Sequence, residues 1–310
     1  MPPRKKSQAS PVPPKLTPEQ AAVSLLGPQP RAITHISYSG MNTHGECGKK
    51  YELSYVMDAP KKGAVWFVGG LAVHRATEEW DRDPAVDLPA AWRRVFNEEL
   101  DKQKAKDPDV LGWRKAGIKA DNPTGEDVAH WYSVLGPSLV ESYIAWRKRS
   151  SWEIWITPDG EPAIELNVGG TLPGMEGVEF KGYIDRIFYD PQFDALRLVD
   201  LKTGSRKPET GLQLGVYGAA VQHRYGIAVP TGAAFMNRKG ALAEAWTLAK
   251  YTPEYVGRHF KQLFDAIQAG YFVPKVGRHC GLCDVASACY ANDGPLAHLY
   301  DRDAPGQAPF

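Results

Sequence analysis

The residues best placed to do chemistry lie in one stretch, "GYIDRIFYDPQFDALRLVDLKTG", Gly182 to Gly204. Side chains alternate across a strand, so Asp200 and Lys202 share a face with Leu196 and Leu198. On the preceding strand Tyr183, Asp185 and Ile187 fall together. A short turn over Asp190–Asp194 makes a hairpin and brings Asp185 nearly opposite Asp200, within a residue of register. Opposed residues have Cβ atoms about 5 Å apart, and like charges that close are unfavourable unless something positive sits between them. A divalent cation answers that need, and hard carboxylate oxygens suit Mg²⁺ or Mn²⁺. Lys202, one pleat beyond Asp200, is placed to position or deprotonate an attacking water and to offset charge on a phosphate. Taken alone, the hairpin also fits a plain surface turn whose Asp and Lys form weak ion pairs.

Two segments flank the hairpin. "GGLAVHRATEEW" precedes it and supplies His74 on a helix predicted over Gly70–Trp80, with Glu78 one turn further on. "GLQLGVYGAAV" follows it and supplies Gln213 and Tyr217, four residues apart and therefore on one helix face. A single helical histidine is more often a satisfied core residue, and a Gln/Tyr pair alone fits any helix surface.

The sequence has 4 cysteines: Cys47, then Cys280, Cys283 and Cys289 in C-x2-C-x5-C spacing. Four thiolates are what either an iron–sulfur cluster or a structural Zn²⁺ requires. Zinc sites usually pair their ligands two and two, and this one-plus-three division is unlike that.

The elements that must position these residues follow from hydrophobic periodicity. Helices are expected at 88–104, at Asn122–Arg149 with a break at Gly136-Pro137, at Gly211–Tyr225 and at Pro253–Ala269. Strands are expected at Phe180–Tyr189 and Leu196–Thr203. Residues 1–30 are rich in Pro and basic residues and read as a disordered arm, 31–292 as the folded domain and 293–310 as a tail.

With 43% hydrophobic residues and 9 Trp, the chain can fill a real core. Its formal net charge of +1 excludes a general polycation, so any nucleic-acid surface must be local. The most apolar run, Gly63–Val73, falls short of the roughly 20 residues a membrane span needs. The N-terminus lacks the apolar segment of a secretory signal, and a cytoplasmic protein is expected. There, cysteines serve as metal ligands more often than as disulfides. The Gly-rich stretches lack G-x4-G-K-[ST], so no nucleotide-driven motor is expected.

Taken in order, the pieces resemble the RecB-like nucleases of the PD-(D/E)XK group. That pattern is a G-x-x-x-H helix, a G-x-x-D strand, a D-x-K strand and a Q-x-x-x-Y helix, here Gly70 to His74, Gly182 to Asp185, Asp200 to Lys202 and Gln213 to Tyr217. The Pro that precedes the first Asp in the wider superfamily is replaced by Ile184, and the RecB-like branch does not require it. The cysteine division resembles the iron–sulfur staple of AddB-type and CRISPR-adaptation nucleases, as do Ser37, Ser39 and Tyr51 around Cys47.

The resemblance implies an α/β fold, a mixed central sheet flanked by helices, with the terminal segments joined at a [4Fe–4S] cluster. It implies His74, Asp185, Asp200 and the Leu201 carbonyl as Mg²⁺ or Mn²⁺ ligands, Lys202 as the catalytic lysine, and Gln213 and Tyr217 at the DNA strand. The expected activity is metal-dependent exonucleolytic hydrolysis of single-stranded DNA or DNA ends, in recombination, repair or phage DNA metabolism. The alternative is a DNA-binding or end-processing subunit of a larger complex, such as one for CRISPR spacer acquisition, with weak or vestigial nuclease activity and recombination or CRISPR proteins as partners.

Overall fold

A computed structural model describes residues 28–115 and 123–300. The expected N-terminal arm lies almost wholly outside the described residues, and so does the end of the expected tail. The chain opens with β1 (His35–Ser37) and α1 (Tyr38–Glu46), and Ser37 caps that helix by accepting the Gly40 amide. Two long helices follow, α2 (Val65–Arg82) and α3 (Leu88–Lys106), the second capped by Asp87. A further helical run leads into α4 (Gly136–Arg149).

The strands are β2 (Glu153–Ile154), β3 (Ile164–Asn167), β4 (Glu179–Lys181), β5 (Tyr183–Asp190) and β6 (Ala195–Lys202). Then come α5 (Leu212–Tyr225), β7 (Thr231–Met236), β8 (Ala241–Leu242), β9 (Trp246–Thr247) and α6 (Pro253–Gln268). The main sheet is mixed: β5 and β6 pair antiparallel, β6 and β7 parallel, and β2, β3, β8 and β9 add short antiparallel edges. Among the described residues, no helix is long and apolar enough to cross a membrane.

Alternation along β6 sorts its side chains between two cores. Leu196 and Leu198 pack with α5 and α6, through Leu214, Val216, Val256 and Phe260. Val199 and Leu201 pack with α2, α3 and α4, through Val73, Phe96, Leu139 and Tyr143. Helices therefore cover both faces of the sheet. Asp200 and Lys202 fall, by the same alternation, on the side of α5.

Three sequence expectations need correction. The strand expected over Phe180–Tyr189 is two strands divided at Gly182. The first pairs with β1 in a small parallel sheet and the second joins the main sheet. A Cβ at Gly182 would sit 2.3 Å from the Phe180 ring, so the corner tolerates only glycine. The helix break expected at Gly136-Pro137 is absent. A π-turn over Trp131–Leu135 carries the Gly136 amide to the Trp131 carbonyl, and the widened turn accommodates a proline that a regular helix would reject. The chain also stays packed past Asn292: Ala297–Tyr300 forms a helical turn, and Tyr300 is buried.

Strand β5 is joined to α2 and α4, on one face of the sheet, by a buried ionic cluster. Arg186 has 0% side-chain exposure and its Nε lies 2.6 Å from Asp81 Oδ2 on α2, itself 1% exposed. Tyr143 donates to the same carboxylate at 2.6 Å, and Arg147 Nε approaches it at 3.2 Å. Removing one member of such a cluster leaves an uncompensated buried charge. Asp81→Ala should therefore cost about 3–5 kcal/mol of stability in denaturant titrations. Tyr143→Phe, which removes one hydrogen bond, should cost about 1–2 kcal/mol.

Candidate active site

The β5–β6 ladder ends at Arg186↔Val199, and continuing its register sets Asp185 opposite Asp200. At that point the two acids take different partners. Asp185 Oδ2 accepts the backbone amide of Leu201 at 2.7 Å, and its Oδ1 lies 3.4 Å from His74 Nδ1. Asp200, buried, has Lys202 Nζ 2.6 Å from Oδ2 and accepts the Gln213 amide at Oδ1, 2.9 Å away. Lys202 donates to Gln213 Oε1 at 3.0 Å, and Gln213 Nε2 reaches the Tyr217 hydroxyl at 3.4 Å.

Helix α2 delivers His74 because Gly70 lets it approach the end of β6. A Cβ there would lie 3.2 Å from Thr203 Oγ1. Arg186 contributes from behind, donating to the Asp185 carbonyl at 2.6 Å while it holds Asp81 of α2. The helix bearing His74 and the strand bearing Asp185 are thus fastened through a single side chain.

One site residue escaped the sequence analysis. Glu165 on β3 joins His74 and Asp185 in the one group of three or more metal-ligating side chains found among the described residues, with ligand atoms within 4.8 Å of one another. The compact trio therefore contains Glu165 where the sequence placed Asp200. Glu165 has φ of 50°, a left-handed conformation that a non-glycine residue rarely adopts within a strand. Its Oε1 is buried without a hydrogen-bond partner, and Arg186 Nη1 stands off at 3.6 Å. The signal for it was an acid between Ile164 and Leu166, in a segment too short to stand out as a strand.

Electrostatics follow from this crowding. Burial opposes the charge on His74, but Asp185 beside it prevails and raises its pKa to about 9. Burial also works against ionisation of Asp185, and His74, the Leu201 amide and Arg186 overcome it, drawing the carboxyl down to about 2. Burial, reinforced by Asp185, pushes Asp200 up to about 6 and Glu165 up to about 7. Lys202 is held above its ordinary value because Asp200 outweighs the burial that would lower it. Without a cation, protons and His74 carry the compensating charge.

The donor set fits a hard divalent ion: two carboxylates and an imidazole converge on one place, and one of the carboxylate oxygens, Glu165 Oε1, has no hydrogen-bond partner. His74, Glu165 and Asp185 would hold it, with Asp200 beside them.

The cysteines lie elsewhere. Cys47, Cys280, Cys283 and Cys289 line one small cavity, together with Leu53 and Val285. Among the described residues, no three of their sulfurs come within 4.8 Å of one another. The Lys275 amide donates to Cys47 Sγ and the Gly277 amide to Cys280 Sγ, each at 3.4 Å. Burial raises the Cys283 and Cys289 thiols.

A mixed sheet with helices on both faces, presenting Asp185 opposite a D-x-K strand and beside a helical histidine, defines a phosphodiester-cleaving class that works through divalent metal. Residues 35–290 match the PD-(D/E)XK nuclease superfamily, and the chain belongs to it. It is 32% identical over 269 residues to the Gene 69 protein of Mycobacterium phage D29, covering 82% of this chain and 95% of the phage protein. The Gene 69 protein of Mycobacterium phage L5 is 30% identical over 285 residues, with the same coverage.

A pH dependence follows for the metal-free protein. The folded pKa of His74 lies above its ordinary 6.5, so the stability it contributes is complete below that value and is lost as pH rises through about 9. Asp200 binds its proton more tightly when folded, so stability also declines as pH rises from about 4 to about 6. In EDTA the melting temperature should fall from pH 6 to pH 9, and His74→Gln should flatten the upper part of that slope. Mg²⁺ should restore more stability at pH 9 than at pH 6, because at the lower pH it competes with the His74 proton.

Proposed function

We propose that this protein is a RecB-like, metal-dependent DNA exonuclease that hydrolyses single-stranded DNA or DNA ends. The observation that carries the reading is the meeting of His74, Asp185, Asp200 and Lys202, from one helix and two strands, around a centre with a carboxylate oxygen that has no hydrogen-bond partner. The similarity to two mycobacteriophage proteins over nearly their whole length favours phage DNA metabolism as the setting. The complete acid, histidine and lysine set favours catalysis over a purely DNA-binding role.

A bound Mg²⁺ or Mn²⁺ would supply Lewis-acid stabilisation of the phosphate and activation of the attacking water. The chain's own residues do the rest. His74, Glu165 and Asp185 would hold the cation, with the Leu201 carbonyl assigned by the family pattern. Lys202, kept charged by Asp200, offsets developing charge on a phosphate oxygen, a role its raised pKa favours over that of a proton acceptor. Gln213 fixes the Asp200–Lys202 pair, and Tyr217 braces Gln213. Both stand where a DNA strand would pass.

End-labelled single- and double-stranded DNA incubated with Mn²⁺ tests the reading. Lys202→Ala should abolish cleavage while DNA binding survives, and Asp185→Ala and Asp200→Ala should remove metal-dependent cleavage. Wild-type cleavage by Lys202→Ala would overturn the assignment. The Gln213→Ala, Tyr217→Ala double substitution should slow cleavage without unfolding the protein.

The same reading assigns a [4Fe–4S] cluster to the four cysteines. Support comes from their common cavity, from the amides aimed at two of the sulfurs, and from the one-plus-three spacing of the cysteines. Phosphodiester hydrolysis moves no electrons, so the cluster is a staple. By analogy with a cross-link over so long a loop, it contributes about 5 kcal/mol. Protein prepared without oxygen should be brown and contain iron and sulfide. Cys47→Ala should be paler and melt at a lower temperature. Stoichiometric zinc without sulfide would reject the cluster, and wild-type stability in Cys47→Ala would reject the staple.

A further inference from the structure

Helix α2 carries more than His74. Its Val68, Ala72, Val73 and Ala76 are buried, so the core is supplied from that side. On another side Phe67 and Leu71, four residues apart, remain 51% and 40% exposed. One turn beyond them stands His74. Phe67, Leu71, His74, Glu165 and Thr203 line a single open groove, so the apolar stripe and the metal-ligating side chains share one wall.

We propose that this groove receives the unpaired strand of the DNA substrate, with nucleobases stacked on Phe67 and packed against Leu71. The inference rests on the nuclease reading and names the feature by which that site selects single strands. Two observations and one property of duplex DNA support it. A strand whose phosphate lies at His74 and Asp185 has this groove directly beside it.

The walls also suit bases rather than backbone. Glu78 and Glu165 line the groove, and the Arg75 guanidinium is occupied by Glu98 and Glu99. Two arginines stand at its margins instead: Arg238, exposed, donates to the Thr203 carbonyl at 3.0 Å, and Arg114, which donates to the Lys62 and Leu282 carbonyls, lies over the Trp66 ring. Phosphates are accommodated at the rim and apolar base faces inside. Finally, a duplex keeps those base faces stacked on one another, so only an unpaired strand can present them to Phe67.

Binding measured by fluorescence anisotropy in the Lys202→Ala background separates this inference from the reading it rests on. If wild-type protein neither cleaves DNA with Mn²⁺ nor binds it as Lys202→Ala, the nuclease reading itself has failed. With that reading intact, adding Phe67→Ala and Leu71→Ala should weaken binding of an oligothymidylate by about ten-fold or more. Affinity for a blunt duplex and the melting temperature should hold. An abasic strand of equal length should bind the parent more weakly than the oligothymidylate, and the double substitution should erase that difference. Phe67→Trp should retain the tight binding. Unchanged oligothymidylate affinity in the double variant, or equal losses on single strand and duplex, would overturn the proposal. A change in oligomeric state with DNA binding intact would overturn it too, by making this face a contact between copies.

Discussion

A guanidinium with no exposure to solvent joins helix α2 to strand β5, and the geometry of the site depends on that join. Arg186 holds Asp81 at one end and the Asp185 carbonyl at the other, while Tyr143 and Arg147 saturate the same aspartate from α4. Isolated charges at such depth are costly, so each member demands the others, and the helix cannot slide along the strand without leaving one unpaired. His74 lies within two turns of Asp81 on α2, and Asp185 is the immediate neighbour of Arg186. The distance between these candidate ligands is therefore set by packing behind the site as well as by the ligands' own contact.

In front of that anchor the usual rules of a sheet are broken together. An acid faces an acid, the β5–β6 ladder stops one residue before them, and Glu165 adopts a conformation that strands avoid. Each departure costs free energy in the absence of a cation. Their coincidence at one spot, with the regular ladder resuming at Arg186, marks the place where the fold yields stability to chemistry.

Much of this was legible in the sequence because the relevant signals are local. A hairpin with alternating apolar residues fixed Asp185 against Asp200, and four-residue spacing put Gln213 and Tyr217 on one face. What escaped depends on contacts distant in the chain. Asp81 looks like any acid near a helix end, and only the fold brings Arg186 to it from 105 residues away. Strand β7, a central partner of β6, reads as Gly-Ala-Ala-Phe, with little of the β-branched character that identifies strands. Glu165 lies on a four-residue strand whose role exists only beside β5. The expected break at Gly136-Pro137 failed for the opposite reason: a local rule was overridden by a π-turn and by Trp92, packed where a Gly136 side chain would be.

The junction beside Cys47 has a consequence for how the molecule comes into being. The Gly48 amide donates to the Val273 carbonyl, and the Lys275 amide reaches Cys47 Sγ across 228 residues. A ribosome delivers Cys47 ahead of Lys275 by 228 residues. The segment before α2 must wait, unsatisfied, through the synthesis of both helical layers and the whole sheet. Contacts of such sequence separation close slowly, and they close last. A nascent chain thus carries its hairpin acids before the scaffold around them is complete, which delays the finished site until Val273 and Lys275 have emerged.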